Sequence, residues 1–187
     1  MFGVKDHLEN FLLISVVFIV SCSLTLGFVL PLQTLLLSDS RLEIGLLFLP
    51  HGVRLLVFYF YGWKGILYLL PSSYLFMILT NKTGAELDVL SPLVSMVACY
   101  IGYYIATLFA PNLPKRPSVT KWQFFIFAGT LSSIINGLSL SLLQFQDDLI
   151  VSSLSYLIGD VTGLVVCFFM LIYAFRIVRM ASFTERD

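Results

Sequence analysis

The sequence predicts an all-α fold, a polytopic transmembrane helical bundle of about six spans with both termini cytoplasmic. Three observations predict it. The first is composition. The chain has 187 residues, of which 58% are hydrophobic and 12% charged, and its mean hydropathy is +0.93. Soluble domains carry about a quarter charged residues, so this much apolar surface calls for lipid as the solvent. The second observation is a series of apolar runs near bilayer length, separated by short polar turns. About 20 helical residues cross a bilayer core. The third is the placement of Lys and Arg. Threading the runs with the N-terminus inside puts Lys5, Lys64, Lys115, Arg116, Lys121, Arg176, Arg179 and Arg186 in the cytoplasm, and only Arg41 and Lys82 outside. Basic residues favour the cytoplasmic side.

The whole chain reads as one integral membrane domain, 1–187, of the multi-pass, bacterial inner (plasma) membrane type. The first span covers about residues 11–37, with Gln33 as its polar exception, and is long enough to span with tilt or with a bend at Pro31. Ile19-Val20-Ser21-Cys22 has the look of a lipoprotein cleavage box. Asp6 and Glu9 precede it and the apolar run continues to Leu37, so a retained span is expected. Ser38 to Glu43 is a polar turn, and 44–61 is the second span. Gly62-Trp63-Lys64-Gly65 is a tight turn. The third segment, 66–80, is short and interrupted by Pro71, so it is either a thin span or half of a re-entrant pair with 44–61. The break at Pro71 and Ser72-Ser73 is expected to lie against protein, because freed backbone groups cannot face lipid. The polar stretch 81–88 leads to a fourth span, 89–110. A basic, proline-rich loop reaches Lys121 before a fifth span, 122–145. Gln146-Asp147-Asp148 is an acidic turn, and 149–175 is the sixth span.

Polar residues inside these spans are the candidate site. Arg54 lies in span two, Asn136 in span five and Asp160 in span six. Counted from Glu43, Asp147 and Asp148, all three fall about 16–18 Å below the outer surface. His51 is one turn from Arg54 on the same face. Pro50 lacks an N–H and Gly52 permits unusual backbone, so the two are expected to break the helix beside the charges. One reading is a buried Arg54–Asp160 ion pair, bridged by Asn136, that fixes helix register. The other makes His51, Arg54, Asn136 and Asp160 a ligand site or proton-linked switch, since ionisable groups at this depth are costly and usually functional. Gly129, Ser133, Gly137 and Ser141 recur every four residues on span five, as do Ser155, Gly159 and Gly163 on span six. Such stripes let helices approach closely in lipid. They are expected to pack these two spans together and to bring Asn136 near Asp160.

Other chemistries find no support in the residues. Zero net charge argues against nucleic acid as a partner. Cys22, Cys99 and Cys167 show neither metal spacing nor a disulfide framework, and no metal or cofactor is expected. There is no Gly-x-Ser-x-Gly, His-Glu-x-x-His or phosphate loop. Ile158-Gly159-Asp160 lacks the second mid-membrane aspartate that an intramembrane aspartyl protease needs.

Phe48-Leu49-Pro50-His51-Gly52-Val53-Arg54-Leu55-Leu56, then Gly62-Trp63, then Leu157-Ile158-Gly159-Asp160-Val161-Thr162-Gly163, resembles the membrane-associated sensor domains that precede bacterial histidine kinases and diguanylate cyclases. The resemblance implies that Pro50, Gly52, Asp160 and Gly163 are motif positions. Members usually have about eight spans and a cytoplasmic output domain, so a chain of this length would be a stand-alone form that signals through a separate protein. The expected function is therefore a non-catalytic sensory or small-ligand-binding membrane module, with the lipid bilayer and a membrane or cytoplasmic protein as partners. Two alternatives stand beside it. One is a transporter or the substrate-binding subunit of an uptake system, and the other is a structural subunit of a larger membrane complex.

Overall fold

Pro31 determines the shape of the first helix. Its ring would clash with the carbonyl of Gly27, four residues earlier, and it brings no N–H to the ladder. In the computed structural model the chain widens there instead of breaking. An α-helix, Val4–Leu24, passes through one π turn, Thr25–Val29, into a last α segment, Leu30–Leu36. Leu30 N–H reaches back to the Thr25 carbonyl, and the Thr25 hydroxyl donates to the Ser21 carbonyl at 3.0 Å. This continuous rod is α1. The structure describes residues 4–36, 45–80, 89–109, 122–144 and 148–184. The remaining helices are α2 (Leu49–Tyr61), α3 (Lys64–Thr80), α4 (Leu90–Phe109), α5 (Trp122–Leu143) and α6 (Leu149–Thr184). The turns at 38–43 and 81–88, the basic loop with Lys115, Arg116 and Lys121, and Gln146, Asp147 and Arg186 lie outside the described residues.

Among the described residues the fold is all-α, with six helices. Four of them, at Lys5–Leu36, Leu90–Phe109, Trp122–Leu143 and Leu149–Ile177, are long and apolar enough to cross a membrane. Their outward faces are apolar. Leu13, Val16, Phe28, Leu35, Phe109, Ile150 and Phe169 are exposed, while Ser132, Ser133, Asn136, His51 and Asp160 are buried. That is the reverse of a water-soluble arrangement, and it suits a chain whose solvent is lipid.

The second and third helices are shorter. α2 has 13 residues and α3 has 17, or about 20 and 25 Å against a core of about 30 Å. A turn at Gly62 joins them. Its φ of 55° lies in the left-handed region, and its N–H bonds to the Phe58 carbonyl at 2.8 Å, a conformation that favours glycine. Pro71 does not interrupt α3, which runs straight through it. Ser72 and Ser73 are buried, but Pro71 itself is exposed, contrary to the expectation that the whole break faces protein. Helical geometry puts Pro71 on the opposite side from the serines, and the Ser72 hydroxyl serves the Leu69 carbonyl at 2.9 Å.

α2 is the axis of the bundle and touches every other helix. Leu49 through Leu55 are buried without a break, so the helix presents no lipid-facing stripe over that stretch. Phe58 lies with Phe18, Leu69 and Met96 in one apolar cluster, and Leu55 lies with Ala106, Ala128 and Leu164 in another. Asn10 bonds to Tyr61 and Gln33 to Leu46, so α1 runs antiparallel to α2. Gly159 meets Phe48, and Gly52 packs on Leu164 and Cys167, so α6 runs parallel to it. Lys5, Lys64, Arg176 and Arg179 are therefore gathered at one end of the bundle.

Candidate functional site

The site begins where α2 begins. The span 44–61 with an internal break at Pro50 is not what forms. The helix starts at Leu49, and Pro50 stands in its first turn, where an N–H is not needed. Gly52 is likewise no break. It is a helical contact, where an added Cβ would meet the Cys167 Cβ at 2.7 Å. Residues 45–48 are non-helical and run into the bundle beside the middle of α6. Phe48 N–H donates to the Gly159 carbonyl at 2.8 Å, and Leu46 N–H donates to Gln33 Oε1 at 2.7 Å. The Leu46 carbonyl accepts from the Thr162 hydroxyl. Irregular backbone at membrane depth persists only where protein satisfies it, and here each of these groups has a partner.

Gly159 and Gly163 make this possible. A Cβ on Gly159 would strike the Gly45 carbonyl, and one on Gly163 would strike the Phe48 backbone. The stripe on α6 thus holds residues 45–48, not α5. The stripe on α5 does face α6. Ser133 donates to Asp160 Oδ2 at 3.0 Å, Ser153 to Ser141 at 3.4 Å, and a Cβ on Gly137 would touch the Ser153 carbonyl at 3.1 Å. Gly129 packs against Leu164 of α6 and Leu55 of α2. α5 meets α4 elsewhere, through Ser132, whose hydroxyl donates to the Cys99 carbonyl at 2.9 Å beside Gly102.

The buried polar residues divide into two neighbouring groups around α2. On the α5–α6 side, Asp160 Oδ2 accepts from Ser133 and from Asn136 Nδ2, the latter at 3.3 Å, and lies 3.4 Å from His51 Nδ1. His51 Nε2 is 3.2 Å from the Gly129 carbonyl. A carbonyl only accepts, so Nε2 carries the hydrogen and donates. The Nδ1 contact is longer than an ordinary N–H···O bond of about 2.7–3.2 Å, and is electrostatic in character. His51 is completely buried and Asp160 is 2% exposed. Asn136 Oδ1 is buried without a hydrogen-bond partner.

On the α1–α4 side lies Arg54. Its Nη1 donates to the Ser95 hydroxyl at 2.7 Å, and its guanidinium carbon sits 5.5 Å from the ring centres of both Phe18 and Phe48. Its Nε is buried without a hydrogen-bond partner, and among the described residues it forms no ion pair. The expected Arg54–Asp160 pair is therefore not formed. His51 takes the carboxylate's side and Arg54 points to the other. Residues three apart on a helix differ by about 60° in azimuth, and on a helix buried all round that is enough to send them to different neighbours. His51 and Arg54 are still only one turn apart on the same buried helix, so the two groups are neighbours in one low-dielectric interior.

The four expected residues, His51, Arg54, Asn136 and Asp160, are thus brought together, with a different pairing from the one read in the sequence. Ser95, Ser133's role as a donor to the carboxylate, Phe18, Phe48, Gln33 and Thr162 were not legible as site residues. Serines and phenylalanines are too common in apolar helices to mark one. Gln33 carried a signal as the one side-chain amide in its span. No protein-family model, curated protein or solved structure matches the chain.

Proposed function

We propose that the chain is a non-catalytic sensory or small-ligand-binding module of the bacterial inner membrane, signalling through a partner protein, and that Arg54 receives the ligand. One observation carries this reading. Arg54 is a buried cation with no carboxylate in reach among the described residues, held only by one hydroxyl and two ring faces, with its Nε unbonded. An uncompensated charge inside a membrane protein costs several kcal/mol on insertion scales of about 2.5–3.5 at the centre. Cation–π contacts return about 0.5–2 kcal/mol each. Two such contacts can offset much of that cost, but they give the Nε donor no acceptor, and that unmet donor favours an incoming partner for the guanidinium.

The rest of the proposal follows the same geometry. Six crossings, with α2 and α3 as a thin hairpin, place Lys5, Lys64, Arg176 and Arg179 on one side, which the positive-inside rule makes cytoplasmic. α6 carries Asp160 and continues unbroken to Thr184, which gives a partner on that side a rigid element to read. His51 lies 3.4 Å from Asp160, so residues from the two motifs that carry the likeness to bacterial sensor domains meet, which supports the sensory reading. Catalysis is not part of the proposal. His51 Nε2 is taken by the Gly129 carbonyl and Nδ1 faces Asp160, and among the described residues no hydroxyl or thiol is bonded to either nitrogen. A second reading, as a transporter subunit, is favoured by the non-helical residues 45–48 beside Asp160.

The test is reconstitution. Purified protein in nanodiscs is screened for anions that raise its melting temperature, and the hits are repeated with Arg54→Gln and with sealed proteoliposomes. A sensor module gains stability from a ligand through Arg54 without accumulating it in the vesicles. Accumulation would favour transport. The same stabilisation in Arg54→Gln would refute the role of Arg54.

A further inference from the structure

We infer that the site takes a small monocarboxylate together with one proton, so that ligand binding and proton uptake are a single event. The inference rests on the reading of Arg54 as the ligand's counter-charge and adds the ligand's class and its linkage to protons.

The proton's place follows from hydrogen-bond directions. His51 Nε2 donates to the Gly129 carbonyl. Its other nitrogen then has two states. Without a further proton, the Nδ1 lone pair faces Asp160 Oδ2 at 3.4 Å, lone pair against carboxylate. With one, the contact becomes N–H···O. Ser133 and Asn136 both donate to the same oxygen, which leaves Asp160 Oδ1 and His51 Nδ1 as the two atoms that can hold the proton. Whichever atom holds it, the His51–Asp160 unit carries one negative charge when empty and none when filled.

Charge balance then links the two sides of α2. Arg54 is always positive. With the His51–Asp160 unit empty, the cluster is neutral, and an added anion would leave one uncompensated negative charge inside the bundle. With the unit filled, the cluster is positive by one, and a monoanion restores neutrality. Buried uncompensated charge is strongly penalised, so anion and proton enter together. Among the described residues, the other titratable groups facing the cluster are the thiols of Cys22 on α1, Cys99 on α4 and Cys167 on α6, whose protonated forms are neutral. α5 presents only Ser133 and Asn136, and the α3 tyrosine nearest α1, Tyr68, is engaged with His7. No second base is present among the described residues to take a second proton, which argues for one charge and against phosphate dianions. The guanidinium's unbonded Nε edge suits a planar carboxylate, and the Phe18 and Phe48 rings beside it suit a short apolar body.

Acetate is the probe. Isothermal titration calorimetry on the protein in nanodiscs, in two buffers of different ionisation enthalpy, counts protons taken up per acetate. Work between about pH 6 and 8.5 keeps acetate ionised. The expected result is close to one proton per acetate, with affinity falling about tenfold per pH unit wherever the His51–Asp160 unit is empty. Asp160→Asn, near-isosteric and unable to ionise, fixes the cluster in its positive state. It should bind acetate with no proton uptake and no pH dependence across the range, at least as tightly as the wild-type protein at its lowest pH. Acetate binding by the wild-type protein without proton uptake would overturn the linkage while leaving Arg54 as an anion site. Equal binding of chloride would overturn the carboxylate class. Failure of the folded wild-type protein to bind acetate, formate or propionate would overturn this inference and remove its footing at Arg54. An Asp160→Asn protein that is folded yet binds with unchanged pH dependence would overturn it as well.

Discussion

Gly163→Ala is the most informative single change in the fold. The new methyl group would occupy the position of the Phe48 backbone, with carbonyl, carbonyl carbon and amide nitrogen all in the way. Backbone cannot rotate aside as a side chain can, so residues 45–48 must lift off α6. Overpacking of this kind costs about 1–3 kcal/mol. Lifting also stretches the bond from Phe48 N–H to the Gly159 carbonyl, at 2.8 Å, and a buried amide left without its partner costs about 1–3 kcal/mol. The sum is about 2–6 kcal/mol. Phe48 would draw its ring away from Arg54, so ligand stabilisation should fall with fold stability. The assay is reversible unfolding in mixed micelles of rising SDS fraction, with Gly27→Ala as the control. Gly27 is helical, and a Cβ added there would meet nothing within 4 Å, so alanine should be neutral or slightly stabilising. If Gly163→Ala unfolds at the same SDS fraction as Gly27→Ala, the docking of residues 45–48 on α6 is wrong.

The pairing at the site makes its own predictions. In double-mutant cycles, His51→Gln with Asp160→Asn should show a coupling of about 0.5–3 kcal/mol, and Arg54→Gln with Asp160→Asn a smaller one, carried by charge balance across α2, since only the first pair is in contact. A larger coupling for the second pair would restore the ion pair that the structure separates. Arg54→Lys should fail to rescue ligand stabilisation, because one ammonium cannot meet Ser95, both ring faces and a ligand together; full rescue would mean that charge alone matters. Reporter fusions after Lys121 and at Asp187 should both report cytoplasm, and an external signal from either would overturn the six-span orientation.

Much of the architecture was legible because a membrane solvent writes it in composition. Runs of apolar residues give the long helices, and buried polar residues stand out against them, so His51, Arg54, Asn136 and Asp160 could be picked from the sequence alone. What they bond to could not. Arg54 and Asp160 looked like partners because each is a lone charge at a similar depth, and depth is all that counting residues supplies. Azimuth depends on how α2 is rotated among its neighbours, and that rotation is set by contacts distant in sequence: Gly52 on Cys167, Gly129 on Leu55 and Leu164. The glycines show the same limit. A small-residue stripe states that something comes close, and says nothing of what. On α5 the stripe admits another helix, whereas on α6 Gly159 and Gly163 admit a non-helical stretch of backbone. That second outcome moves the start of α2 into the bundle and turns Pro50 from an expected break into an ordinary first-turn proline. It also puts Phe48 over Arg54 and His51 against Asp160 in the same stroke. The site is therefore a consequence of two glycines that carry no chemistry of their own, which is why the residues that do carry chemistry gave an incomplete account of it.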